Sequence, residues 1–265
     1  MSKLVLSGTT WIAADIHLGP QGPATASHFY DFLRQAEQEC DTLILCGDIF
    51  HVWVGDDQTH SPEPWLASAI QALRGFSSKK PLYLMRGNRD FLLGEAFAAS
   101  VGATLLPDEL HIVSPAGEFW LTHGDELCLD DQAYQRFRRI VRKPWVQGLF
   151  LASPLAWRRG IANYFRQRSR QAGRYKNSVI TDVSPQAWHD LLTRQGLSVL
   201  VHGHTHRPSI HHNTTDGLHR IVLPDWEFDH SKPTRSGWLS VDDSGLTLRY
   251  ADAAEHFTQP AEGGL

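Results

Sequence analysis

Short apolar runs recur along the chain, each followed by a polar or glycine-containing turn: Trp11–Ala14, Leu43–Cys46, Leu82–Met85, Phe119–Thr122, Leu197–Val201, Ile221–Leu223, Trp238–Val241 and Leu246–Tyr250. Runs of this length bounded by turns read as buried strands. Ala26–Glu39 and Pro64–Arg74, with a shorter stretch at Glu95–Ser100, read as helices between them, so strand and helix alternate in the first half. The last third is mostly strand. The pattern predicts an α/β fold of two β-sheets packed face to face with helices outside, and leaves open which strands pair.

The alternation breaks in the middle of the chain. Residues 132–181 contain no Asp or Glu, yet Arg136 through Lys176 supply 12 of the 25 Lys and Arg. With a formal net charge of -4 overall, this stretch carries +12 and the remainder -16. Trp145, Phe150, Trp157, Tyr164 and Phe165 are interleaved with the arginines. Such a segment reads as a basic, aromatic-rich helical cap (132–181) inserted into a core domain formed by 1–131 and 182–265. A solvated helical face, a nucleic-acid surface and a membrane surface all fit a basic aromatic stretch taken alone; docking on anionic lipid fits best, and no nucleic-acid partner is expected.

Composition bounds the rest. A chain of 265 residues with 42% apolar content and 20% charge is ordinary for a globular protein, and two independent domains are not required. The apolar stretch Trp145 to Trp157 is interrupted by Gln147, Gly148, Ser153 and Pro154 and is shorter than the ~20 residues a bilayer crossing needs. Met1–Leu4 leads into strand-like sequence with no export signal, so a cytoplasmic setting is expected, and Cys40, Cys46 and Cys128 are expected to be thiols.

Five short motifs end or follow the apolar runs: Asp15-Ile16-His17, Gly47-Asp48, Gly87-Asn88-Arg89-Asp90, His123-Gly124-Asp125 and His202-Gly203-His204-Thr205-His206. Singly, most of these read as turns or helix caps. The last is more specific, because in extended chain alternate residues share a side and would bring His202, His204 and His206 toward one locus. All five fall at the carboxyl ends of predicted strands, the rim where α/β sheets gather ligands. Carboxylates, one amide oxygen and several imidazoles suit a pair of divalent ions of the Mn²⁺, Fe²⁺ or Zn²⁺ type, and the absence of cysteine from the motifs argues against a structural zinc site.

The order of these motifs resembles the calcineurin-like metallophosphoesterase superfamily. The resemblance implies a four-layer αββα sandwich with two metal ions, Mn²⁺ by family expectation, at the strand ends. One ion would be held by Asp15, His17, Asp48 and His206, and the other by Asp48, Asn88, His123 and His204, so that Asp48 bridges. Asn88, Arg89 and His123 would act in catalysis. His202 falls outside the matched ligands, and Asp225 has no role in the match.

Arg89 follows the Gly-Asn pair where many members of the superfamily place histidine. That departure is shared with the UDP-2,3-diacylglucosamine hydrolases, which Gly47–Phe50, Trp53–Asp57, Gly87–Gly94, His123–Asp125, Leu127-Cys128, Asp130-Asp131 and Lys143–Trp145 also resemble. The likeness implies hydrolysis of an acylated UDP-sugar by a water that the ions activate. Asn88, Arg89, Asp131, Tyr134, Arg166, Ser169, Lys176 and His204 would contact substrate, and the chain would sit peripherally on the cytoplasmic face of the inner membrane with no obligate protein partner. Another substrate of the same superfamily, such as a nucleotide polyphosphate, a phosphoprotein or a nucleic acid, is the alternative, and a non-catalytic scaffold a remote one.

Overall fold

Side-chain alternation in the first long strand sets the architecture. In β2 (Thr10–Ala13) Trp11 and Ala13 join one buried cluster and Ile12, with Ala14 just beyond the strand, joins another. A strand buried on both faces needs a layer on each side. A computed structural model describes residues 3–173, 182–212, 216–250 and 253–259, leaving out the side chains of 166–173. Its strands are β1 (Lys3–Val5), β2, β3 (Thr42–Cys46), β4 (Leu82–Met85), β5 (Thr104–Leu105), β6 (Glu109–Ser114), β7 (Gly117–Thr122), β8 (Val199–His202), β9 (Ser209–His212), β10 (His219–Val222), β11 (Gly237–Asp242), β12 (Gly245–Tyr250) and β13 (Ala253–Phe257). Its helices are α1 (Pro23–Glu39), α2 (Pro64–Ser77), α3 (Glu95–Ser100), α4 (Gln132–Val141), α5 (Pro144–Leu151), α6 (Leu155–Gly173) and α7 (Pro185–Gln195).

One sheet has the order β1-β6-β7-β8-β10-β9 and the other β13-β12-β11-β2-β3-β4-β5. Strands β2, β3, β4 and β5 run parallel, as do β7, β8 and β10, so two sets of carboxyl ends can meet at one rim. Between the sheets lie Ile12, Ile44, Cys46 and Met85 against Ile112, Phe119, Leu121, Val199, Val201 and Ile221. The outer face of the second sheet is covered by Phe29, Phe32, Leu33 and Ala36 of α1 and by Leu66, Ala69, Ile70 and Leu73 of α2, each set at helical spacing. Leu191 and Leu192 of α7 cover Trp120 and Leu200 on the first sheet. This is the four-layer αββα sandwich that the motif order implied.

All eight apolar runs lie in or overlap strands. One expectation needs correction. The His-Gly-His-Thr-His segment is not extended: β8 ends at His202, and His204 and His206 have φ of 67° and 55°. Beyond it, His211 and His212 lie in β9 opposite Arg220 and His219, with their side chains exposed.

Helices α4 to α6 follow β7 without an intervening strand, and none of the α4 or α5 side chains is buried. Among the described residues of α4 to α6, Arg158 is the exception to this loose burial, at 2% exposure. Its guanidinium donates to both carboxylate oxygens of Asp57 and, at 2.6 Å, to the Val54 carbonyl, while Nε donates to Ser153 at 3.0 Å. The notch exists because Gly55 has φ of 133° and no side chain; a Cβ there would lie 2.3 Å from Arg158 Nη1. Removing one partner of a buried pair costs about 3–5 kcal/mol, and less where the carboxylate is partly solvated. Asp57→Ala is therefore expected to cost about 1–3 kcal/mol in urea denaturation, with Asp57→Ala/Arg158→Met recovering most of the loss. Additive losses in the double variant would show that the pair is not the anchor.

Candidate metal centre

The loops after β2 and β3 run side by side. Asp15 N donates to Gly47 O at 3.1 Å, His17 N to Asp48 O at 2.9 Å and Leu18 N to Ile49 O at 2.8 Å. This backbone ladder carries Asp15, His17 and Asp48 to one rim. The loop after β4 joins it through Asp90, fully buried, which accepts from Gly87 N at 2.7 Å, Asp48 N at 3.2 Å and Ile49 N at 2.8 Å. At the rim of the other sheet Gly203 N donates to His123 O at 3.0 Å, and across the sandwich His204 N reaches Asp15 Oδ2 at 2.8 Å. The two sheets are thus tied at the rim by a ligand-bearing loop.

Asp15 Oδ1 lies 3.2 Å from His206 Nε2 and 3.8 Å from His17 Nε2, and Asp48 Oδ2 lies 3.3 Å from His17 Nε2. Asp48 Oδ1 lies 3.6 Å from His123 Nε2, and Asn88 Oδ1 lies 3.1 Å from the same nitrogen and 2.8 Å from His204 Nδ1. All seven residues named as ligands by the resemblance therefore converge. Within the groups Asp15–His17–His206 and Asp15–Asp48–His123 the ligand atoms lie within 4.8 Å of one another. Two buried carboxylates, one amide oxygen and four imidazoles form a donor set that fits divalent ions with mixed oxygen and nitrogen coordination.

Backbone conformation supports the same assignment. Among the described residues, the non-glycine positions with positive φ are Asp15, His17, Asp48, His204 and His206, at 52–67°. Such conformations are uncommon away from functional sites and persist only where the surroundings fix them.

Charge is the second half of the geometry. Burial alone would raise the Asp15 and Asp48 carboxyls, but His206 beside Asp15, and His123, His17 and Arg89 beside Asp48, outweigh it and hold both below the usual range. Burial, with the charge of Arg89, pushes His17 down to about 4, and burial with His123 pushes His204 to about 4, so both are neutral imidazoles at pH 7. Burial and the neighbouring Asp48 push Asp90 up to about 6.

Arg89 donates its backbone N–H to Asp48 Oδ1 at 2.8 Å, and its side chain lies 3.2 Å from Asp48 Oδ2 and 2.9 Å from His51 Nδ1. The ion pair with Asp90 or Glu95 that a surface reading of Arg89 would suggest is not formed. The ring of Tyr134 stacks on His204 at 6.2 Å, and its hydroxyl donates to Asp125. One Asp131 oxygen accepts from Tyr134 N at 3.1 Å and caps α4. The side chains of Arg166 and Ser169, and Lys176 altogether, lie outside the described residues. His202 is buried at the end of β8 with Nδ1 2.8 Å from Gly203 O, apart from the ligand set.

Asp225 and His51 also stand at this rim, although neither belongs to one of the five motifs. Asp225 is 2% exposed, accepts three contacts of 2.8–3.1 Å from Arg235, and faces His206 Nδ1 at 3.5 Å, while Trp226 N donates to Asp15 O at 3.1 Å. A carboxylate behind a ligand imidazole fixes its tautomer and orientation. Its signal in the sequence, a lone Asp after a strand, is indistinguishable from a turn former.

A paired-sheet sandwich with this donor set at its rim defines a two-metal phosphoesterase. The sequence profile described as calcineurin-like phosphoesterase matches residues 8–208. Over 248 residues the chain is 46% identical to the UDP-2,3-diacylglucosamine hydrolase of Bordetella parapertussis, covering 93% of this chain and 96% of that one. It is 43% identical to enzymes of that name from Ralstonia nicotianae (91% and 92% covered) and Serratia proteamaculans (84% and 92%). A dimetal phosphatase from Danio rerio shares the fold, with a TM-score of 0.55 at 12% identity over 95% of this chain and 99% of that one. The chain belongs to the calcineurin-like phosphoesterase family and, within it, to the UDP-2,3-diacylglucosamine hydrolases.

Two outcomes are expected. A Cβ at Gly87 would lie 2.2 Å from Asp48 Oδ1 and 2.4 Å from Asp48 N, so Gly87→Ala must displace the Asp48 carboxylate. Loss of at least ~100-fold in activity together with loss of bound metal is expected, by analogy with ligand-shell changes; retained stoichiometry in elemental analysis would refute this. His123 in the metal-free protein is held at about 9, because the charges of Asp48 and Asp15 outweigh burial, which alone would lower it. A raised folded-state pKa gives stability that is complete below the unfolded value of ~6.5 and is lost as pH rises through 9. Metal binding should therefore release a proton and tighten across that window, as calorimetry in buffers of different ionisation enthalpy would register.

Proposed function

We propose that this chain hydrolyses the pyrophosphate bond of UDP-2,3-diacylglucosamine at the α-phosphorus, giving UMP and 2,3-diacylglucosamine 1-phosphate. The observation that carries the reading is the convergence of Asp15, His17, Asp48, Asn88, His123, His204 and His206 beside Arg89, in a chain 46% identical to hydrolases named for that substrate. When bound, two divalent ions, Mn²⁺ by our reading, supply an activated water and neutralise charge on the phosphoryl oxygens.

The protein's own residues do the rest. Asp48 stands between the two ligand groups, facing His17 on one side and His123 on the other. Arg89, anchored by Asp48 and His51, presents a planar, permanently charged fork to the pyrophosphate. Asn88 and His204 line the same edge. Tyr134 donates its O–H in a hydrogen bond to Asp125, so toward a sugar it offers only lone pairs and suits a substrate hydroxyl or amide N–H.

The helical segment fits the acyl chains and the membrane. Trp145, Leu149 and Trp157 are 69–71% exposed, with Ile140, Tyr164 and Phe165 also exposed, beside Arg136, Arg139 and Lys143. Several large apolar side chains exposed on one short segment suit an interaction site, and cations interleaved with them in sequence favour anionic headgroups. Among the described residues no helix is long and apolar enough to cross a membrane. We read the segment as a cap that receives the lipid and touches the inner membrane from its cytoplasmic face.

UMP release from the acylated substrate is expected only with divalent metal and intact His123, with His123→Ala falling at least ~100-fold. Trp157→Glu should weaken both sedimentation with anionic vesicles and turnover of the lipid. Cleavage of a generic phosphodiester without any action on the lipid would leave the metal chemistry standing and remove the substrate.

A further inference from the structure

Helix α4 touches each loop that supplies the Asn88–His123–His204 side of the centre. Asp125, two residues beyond His123, has a side chain only 2% exposed. Its Oδ2 accepts from Tyr134 Oη and, at 2.7 Å, from Arg138 Nε, and lies 3.8 Å from Arg142 Nη2. Gln135 Nε2 donates to the Asp125 carbonyl at 2.8 Å. Arg142 extends the network: Nη2 donates to Gly87 O at 3.1 Å, immediately before Asn88, and Nη1 donates to Asp108. Tyr134, fixed by Asp125, stacks on His204 with an interplanar angle of 28°.

Asn88, His123 and His204 are therefore each reached from one helix, directly or through an adjacent residue. Asp15, His17 and His206 are set differently, by the β2–β3 loop ladder and by Asp225 with Arg235. The two halves of the centre have separate supports. A buried carboxylate bonded to two or more donors holds them in one geometry, and its loss leaves guanidinium charge in a dry place.

We propose that Asp125 is a positioning residue: through Tyr134, Arg138 and Arg142 it fastens helix α4 to the loops of Asn88, His123 and His204, making the affinity of the ion on that side depend on the seating of helix α4 itself rather than on the anchorage of α6. The proposal rests on the two-ion reading of the centre. It gives the third residue of the His-Gly-Asp motif a task distinct from ligation. It also explains why the residues that touch the metal rim from α4 are spaced at 134, 138 and 142, four apart on one helical face, the last at the helix end.

Mn²⁺ is titrated calorimetrically into metal-free wild type, Asp125→Asn, Arg142→Lys and Arg158→Met, with elemental analysis of bound metal. Arg142 is 15% exposed and its lysine variant keeps the charge, so it tests the network where Asp125→Asn fails to fold, as thermal melts would reveal. In the folded variants of Asp125 and Arg142, one ion should bind as in wild type and the other about 10–100-fold more weakly. Arg158→Met loosens the segment elsewhere and should leave both ions unchanged. Wild-type affinity for both ions in Asp125→Asn and Arg142→Lys would overturn the proposal, as would equal weakening of one ion in Arg158→Met. The wild-type titration reports on the two-ion reading by itself, so its failure is distinguishable from failure of the coupling.

Discussion

Two carboxylates, Asp15 and Asp48, are buried at the mouth of a dry sandwich and kept ionised there. Everything around them answers that constraint. Each raises the energy of the other, and neither can be solvated, so positive charge has to be brought to them. His206 and His123 supply part of it, Arg89 another part, and divalent ions suit the remainder. The parallel runs β2–β3–β4 and β7–β8–β10 make this possible because their carboxyl ends open on one rim. An antiparallel arrangement of those same strands would have divided the ligands between two ends of the molecule.

Concentrating ligands at strand ends has a conformational consequence. Asp15, His17, Asp48, His204 and His206 all turn through left-handed backbone, where a side chain is disfavoured. The penalty, on the order of 1–3 kcal/mol for each strained position, has to be met by the surroundings. Asp90, accepting from four loop amides, and the His204–Asp15 bond across the sheets do this. Pre-set ligands lose less freedom when an ion arrives, so the strain and the affinity are two sides of the same arrangement.

Strands with continuous apolar character were legible in the sequence because burial on both faces leaves no polar position to interrupt them, as in Leu43–Cys46. Strand β6 was not, since Glu109–Ser114 alternates Leu110 and Ile112 with polar residues and no apolar run forms. Helix α7 hides behind Gln186, His189 and Asp190 on its wet face. The ligands were legible as motifs, whereas their supports were not: Asp225 and Arg235 are far from the motifs in sequence and meet His206 only in space. The extended reading of His202–His206 failed for a related reason. A left-handed residue other than glycine leaves no mark in composition, and here it separates His202 from its neighbours.

Opposite charge on the two parts of the chain, +12 over residues 132–181 against -16 elsewhere, invites the view that the basic part is a patch for anionic lipid. The structure divides that charge. Arg138, Arg142, Arg158 and Arg159 face Asp125, Asp108, Asp57 and Glu63 of the core, so they hold the segment in place. The attraction to a membrane that we propose, about 1 kcal/mol for each favourably placed cation, then falls to the remaining cations, among them the exposed Arg136, Arg139 and Lys143. Under the proposed membrane role, a smaller electrostatic pull combined with apolar insertion suits reversible docking. The basic composition therefore serves attachment to the core first, and only the remainder is left for the lipid contact we propose.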